Sequence, residues 1–171
     1  SLYALCAGMN AVTMIINPDD AEEAGIDVPM RSTYSELFDM NQKIYDETGK
    51  FAYVPGGIGA LQMLARDAGE ILFNPEAPEL GASEETLNFY FQMQKDAIES
   101  DWSVSLDQMQ HEVTAGVENT SLPKGTAWNT FPGGSNQLDA IEKAAGHALA
   151  LKLYPKRDDA VEESMYLRPS M

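Results

Sequence analysis

The chain carries a single cysteine, Cys6, so no internal disulfide can form and the fold must rest on packing and hydrogen bonding. That usage suits a reducing compartment and equally an exported bacterial protein that needs no bridge. Positive charge is scarce: 11 Lys+Arg face 27 Asp+Glu, and the resulting −16 repels phosphate backbones and anionic lipid, which argues against nucleic-acid binding. No run approaches the ~18–20 apolar residues of a membrane span. No secretory leader is expected within these residues. The chain opens directly on the strand-like Leu2-Tyr3-Ala4-Leu5, and we expect a piece of a longer protein.

Chemistry-bearing motifs are equally few. His111 and His147 stand alone, and with one cysteine no zinc spacing exists, so no metal site is expected. Gly57-Ile58-Gly59 lacks the third glycine of a dinucleotide fingerprint, and no Lys-Ser/Thr follows a glycine turn as in a P-loop. There is no Gly-x-Ser-x-Gly elbow. Cys6 reads as a small core residue. The pairs Asp19-Asp20 and Glu84-Glu85 fall in first turns of helices, where they complement the dipole. Nothing singles out a carboxylate pair for glycoside hydrolysis. The expectation is a protein without cofactor that is not an enzyme.

What is present is an ordinary globular composition, 44% hydrophobic and 22% charged, over 171 residues: one domain with a real core. Asn10–Ile16 reads as a buried strand. Asn17-Pro18-Asp19-Asp20 starts a short helix that Gly25 ends. Thr33-Tyr34-Ser35-Glu36 has capping-box spacing for a helix to about Thr48, with Gly49 as its stop. Its apolar face is Leu37, Met40 and Ile44, flanked by Phe38 and Tyr45. Phe51–Val54 reads as a strand broken by Pro55-Gly56-Gly57 before a helix. Asn74–Gly81 reads as a loop. Ser83 caps a helix Glu84–Glu99, with Leu87, Tyr90, Phe91, Met93 and Ile98 as its apolar residues. Ser105 opens another through about Val117. Ala148–Leu153 is a strand and the tail from Lys156 is irregular. This alternation predicts an α/β domain with parallel pairings.

The stretch Gly125–Gln137 (GTAWNTFPGGSNQ) repeats the order strand, Pro-Gly-Gly, helix, with Leu138, Ile141 and Ala145 as helical apolar positions. That arrangement puts Trp128, Asn129 and Phe131 at the carboxyl end of a strand, where an open cleft usually lies. The residues alone leave two readings: ligand-facing groups, or a buried Trp and Phe ending a core strand.

Several segments occur in a telling order: Leu2–Asn17, Pro18–Val28, Thr33-Tyr34-Ser35-Glu36-Leu37, Gly125–Gln137 and Arg168-Pro169-Ser170. In that order the chain resembles the sugar-type extracellular solute-binding proteins of bacterial ABC importers, the maltose-binding-protein-like group. Cys6 stands where that family commonly has proline, and Tyr34 where it often has tryptophan. The resemblance implies a type II periplasmic-binding-protein fold, of which residues 1–171 form the second lobe in sequence, a mostly parallel mixed sheet flanked by helices. It implies an absent N-terminal lobe, a membrane permease as partner, and an extracytoplasmic location, periplasmic or as a cell-surface lipoprotein. It further implies carbohydrate capture between two closing lobes. In that role Trp128 stacks on a pyranose face and Asn129 bonds a hydroxyl. Asn10 and Met9, after the first strand, contribute from the neighbouring loop, Gly56, Gly57 and Gly133 offer backbone N–H groups, and Phe131 and Gln62 add further contacts. Three rivals stay open: an enzyme acting on the same sugars, a binding protein for a non-sugar solute such as an amino acid, peptide or polyol, and an interaction module using the aromatic stretch.

Overall fold

The computed structural model describes residues 8–74, 76, 78–131, 134–161 and 167–170; Cys6 lies outside them. The apolar run after Gly8 forms two short strands, β1 (Gly8–Ala11) and β2 (Thr13–Ile16). β2 is the centre of the molecule, with all four residues buried. β3 (Asn129–Thr130) lies on one side of it and β4 (Ala150–Leu153) on the other, both antiparallel, so that Ile15 pairs with Thr130 and Leu151. β5 (Leu167–Ser170), in the tail expected to be irregular, pairs antiparallel with β1.

The α/β class and mixed pairing are as expected, but the continuous ladders are antiparallel. Among the described residues parallel pairing is confined to isolated bridges, Phe51 with Ala127, Ala52 with Ser103, and Thr33 with Lys156. The reason is topological. β3 and β4, joined through helix α6 (Leu138–Ala145), both oppose β2 and therefore run parallel to each other. β2 sits between them and takes the hydrogen bonds a direct parallel pair would have made.

Helices appear where capping chemistry predicts them. Asn17 accepts the Asp19 N–H to open α1 (Pro18–Glu23). The full capping box of Thr33 and Glu36 opens α2 (Tyr34–Thr48), which Gly49 closes with φ +70°. Gly56 precedes α3 (Gly57–Asp67), Ser83 caps α4 (Glu84–Glu99) and Ser105 caps α5 (Leu106–Ala115). On α4 the expected apolar face is wrong in part: Phe91 and Ile98 are 63% and 53% exposed, and Thr86, Met93 and Ala97 are the buried positions.

The strand period of two splits β2 between two cores. Met14 and Ile16 join Leu37 and Ile44 of α2, Trp102 and Trp128; Ile15 joins Leu122, Ile141 and Leu149. Each fully buried aliphatic side chain stabilises the fold by about 1.5–3 kcal/mol. Within the first core the Trp128 indole N–H donates to Asn41 Oδ1 at 3.0 Å, satisfying its one polar atom.

Residues 154–161 strap the helices together. The Tyr34 N–H donates to the Lys156 carbonyl and the Lys156 N–H to the Ser32 carbonyl. The Arg157 N–H donates to Asp67 Oδ2 at 3.0 Å, and Arg31 Nη2 lies 3.7 Å from Asp67 Oδ1. The buried Arg157 guanidinium sits 5.1 Å from the Phe89 ring centroid and donates to Thr86 Oγ1 and Asp159. That bond holds the Asp159 carboxyl below its ordinary range.

Two outcomes follow from the strap. Asp67→Ala removes the carboxylate beside Arg31, which keeps the Tyr154 carbonyl, and takes the acceptor from the buried Arg157 N–H, so urea denaturation should show a loss of about 1–3 kcal/mol. Because the Asp159 pKa is depressed on folding, its contribution is present above the unfolded value near ~3.9 and disappears as pH falls through the folded value. Asp159→Asn should therefore lower the urea midpoint at neutral pH and leave it unchanged in strong acid.

Candidate functional site

The site begins with two segments lying side by side. The Phe51 N–H donates to the Thr126 carbonyl and the Trp128 N–H to the Phe51 carbonyl, a parallel pairing one residue long. A continuing ladder would need backbone partners for Tyr53. The Asn129 side chain supplies them instead: its Oδ1 accepts the Tyr53 N–H at 2.7 Å and its Nδ2 donates to the Tyr53 carbonyl at 3.2 Å. The carboxamide thereby stands in for a peptide unit. It fixes Tyr53 on one side of a groove that opens beyond it.

That groove encloses about 370 Å³ and is lined by Tyr53, Val54 and Gly56 on one side and Thr130 and Phe131 on the other. Glu112 of α5 and Thr120 complete its polar lining. Glu112 is buried and its carboxylate accepts from three donors. Oε2 accepts the Tyr53 hydroxyl, and Oε1 accepts from Gln108 Nε2 and Ser121 Oγ, each at 2.6 Å. The half-buried Phe131 ring is oriented by an edge contact with Tyr154, centroids 5.3 Å apart. An aromatic surface, hydroxyls and one well-anchored carboxylate thus converge in a concave site. This is the lining that suits a polar ligand with apolar faces.

The expected residues distribute unevenly around this groove. Phe131 and Gly56 line it together. Trp128 does not: it is fully buried, packed in the core and bonded to Asn41, so it has no face to offer a ligand. Asn129 is likewise buried and spends both amide atoms on Tyr53, so it shapes the groove rather than reaching into it. Gly57 adopts φ +69°, which glycine permits at the strand-to-helix turn, but its N–H donates to the Tyr90 hydroxyl at 3.0 Å. Gln62 lines a different cavity, with Arg66, Ile71 and Phe73. Asn10 lies on β1 opposite Arg168, and a Cβ on Gly134 would come within 3.4 Å of its own Cβ. Three residue steps separate Phe131 from Gly134, at most ~11 Å of chain, so Asn10 borders the same end of the sheet. Met9 occupies β1 opposite Pro169, and Gly133 lies outside the described residues.

Tyr53 and Glu112 were missed in the sequence. Tyr53 sat inside a strand reading and Glu112 inside an amphipathic helix, and no spacing links residues 59 positions apart. The only available signal was the aromatic residue just before Pro55-Gly56-Gly57. Among the described residues no cluster of His, Cys, Asp or Glu could hold a metal ion, and no helix is long and apolar enough to cross a membrane.

Removing the Asn129 carboxamide tests the groove's construction. Asn129→Ala leaves the Tyr53 N–H and C=O without partners, at about 1–3 kcal/mol each. Asn129→Asp keeps the acceptor and loses the donor, so in thermal or urea unfolding it should fall between wild type and alanine.

No family model matches the chain, and no curated protein matches it. Solved structures do. The chain is similar to an extracellular solute-binding protein, family 1, from Alicyclobacillus acidocaldarius, with TM-score 0.85 and 20% identity over 99% of this chain and 42% of that one. It is similar to a cyclic alpha-maltosyl-1,6-maltose binding protein from Arthrobacter globiformis, with TM-score 0.70 and 20% identity over 93% and 40%. A third is the ABC substrate-binding protein Lmo0181 from Listeria monocytogenes in complex with cycloalternan, with TM-score 0.73 and 15% identity over 93% and 40%. The chain spans about two fifths of the length of these structures. At such identities what is shared is the fold, and this chain has the fold of a fragment of an extracellular solute-binding protein.

Proposed function

We propose that the groove between Tyr53 and Phe131 is one wall of a carbohydrate site, and that the chain is one lobe of a solute-binding protein serving an ABC importer. The observation that carries this is the lining itself: an oriented aromatic ring beside hydroxyls and an anchored carboxylate, at the end of the central strands. Sugars present apolar C–H faces and dense hydroxyls, and this lining answers both. The cyclic maltosyl-maltose binder among the similar structures supports the same ligand class. In this reading the parent protein works outside the cytoplasm, closes a second lobe over the sugar and presents it to a membrane permease. Binding is favoured over hydrolysis because, among the described residues, Glu112 is the one carboxylate lining the groove, whereas glycoside hydrolysis ordinarily uses a flanking pair.

A single wall makes part of the contacts and gains nothing from closure. We expect millimolar or weaker affinity from this chain, about 4 kcal/mol or less. The test is an amide-shift titration with mono- and oligosaccharides, run on wild type, Phe131→Leu and Tyr53→Phe. Saturable shifts around Gly56, Thr120 and Phe131 that vanish in Phe131→Leu, which stays apolar but loses the ring, support the reading. Micromolar binding indifferent to Phe131→Leu, or silence from both this chain and the parent, would sink it.

A further inference from the structure

A second recognition surface lies away from the sugar groove, between α2 and α4. Tyr34 and Phe38 of α2 and Phe89 and Met93 of α4 form its apolar lining, a cavity of about 330 Å³. Its rim is acidic on both helices: Asp39 on α2, Asp96 on α4, and Asp158 from the strap. Among the described residues no Lys or Arg lines it. Hydrogen bonds hold two of these acids in place, Ser35 Oγ to Asp158 and Gln92 Nε2 to Asp96 at 2.6 Å.

The molecule already shows which chemistry this lining accepts. The same Phe89 ring takes the Arg157 guanidinium at 5.1 Å, with Asp159 and Glu85 as its carboxylate partners. The groove repeats that recipe, aromatic ring and carboxylates, without a cation to complete it. It also runs on. Phe89, Gln92 and Asp158 are shared with an adjoining trough of about 690 Å³ that adds Glu85, Asp159 and the exposed Phe91. The cations there are engaged, Arg157 as described and Lys95 with Glu99 at 3.8 Å. A surface this long, apolar along its floor and acidic along its edges, fits an extended chain better than one small cation.

We propose that the α2–α4 trough docks a basic, apolar-flanked segment of a partner protein. One arginine or lysine of that segment lies over the aromatic lining between Asp39 and Asp96, and its apolar neighbours cover Phe89 and Phe91. Charge complementarity draws the segment in, and the apolar contacts hold it.

The test is fluorescence anisotropy of this chain with a labelled Leu/Arg peptide. Its controls are the same peptide with Glu for Arg, an Arg peptide flanked by Gly and Ser, and free agmatine as competitor. The Leu/Arg peptide should bind best and weaken as salt rises. Asp39→Asn/Asp96→Asn, both exposed positions, should weaken it roughly three- to tenfold, as the loss of two exposed ion pairs predicts, with unchanged thermal midpoint. Phe89→Leu should weaken it further while preserving the fold. Three results overturn the proposal: equal binding of the Glu peptide, indifference to the double variant, or no binding of the Leu/Arg peptide at millimolar concentration. Agmatine competing as well as the whole peptide also overturns it, showing a small-cation pocket instead.

Discussion

The groove depends on one side chain that behaves as backbone. Asn129 meets both polar groups of Tyr53 with its carboxamide, where the pairing of residues 51–52 with their neighbours has run out. A further ladder residue would have kept the two segments parallel and closed against each other. A side-chain amide satisfies the same hydrogen bonds from a different direction, leaving the two chains to part at the groove. Tyr53 is then steered onto Glu112, which in turn gathers Gln108 and Ser121. Backbone pairing, groove shape and polar lining are therefore one connected network, whose members lose value when any is left unsatisfied.

How much of this was legible follows the range of the interactions. Helix starts were readable because capping is local: the Thr33–Glu36 box, Asn17 and Ser83 all act within three residues. The α/β class and the βαβ element around α6 were readable from alternation. Sheet direction was not, because no local signal says that β2 inserts between β3 and β4. Trp128 failed for a related reason. It was expected at the carboxyl end of a strand and instead precedes β3 (Asn129–Thr130), and its ring is held in the core by Asn41, 87 positions away, which gives the indole its buried acceptor. Phe131, three residues on and half-buried, has the exposure the ligand role requires.

The helix α4 face shows the same limit from the opposite side. Phe91 and Ile98 fit a broad apolar stripe by spacing, yet both are exposed while Thr86 is fully buried. Arg157 explains the exchange. It arrives from the strap, bonds Thr86 and covers Phe89, so the start of α4 packs against a guanidinium instead of aliphatic side chains. Hydropathy periodicity assumes an apolar partner, and here the partner is a neutralised charge.

Net charge also takes on meaning only through its placement. A chain at −16 repels anions and attracts cations, yet among the described residues the groove beside Phe131 carries one carboxylate, and that one already accepts from Tyr53, Gln108 and Ser121. A neutral polyhydroxyl ligand meets hydroxyls and a ring there rather than a bare field. The trough between α2 and α4 has the opposite character, with Asp39, Asp96 and Asp158 around an aromatic lining and no cation among them. The two surfaces share the aromatic component and differ in their carboxylates: one at the first, buried and bonded to three donors, and three exposed ones at the second, where Asp158 accepts from Ser35 and Asp96 from Gln92. That difference sorts ligands by charge: donors internal to the fold make the first site tolerant of neutral hydroxyls, and their scarcity at the second leaves its attraction for a basic group intact.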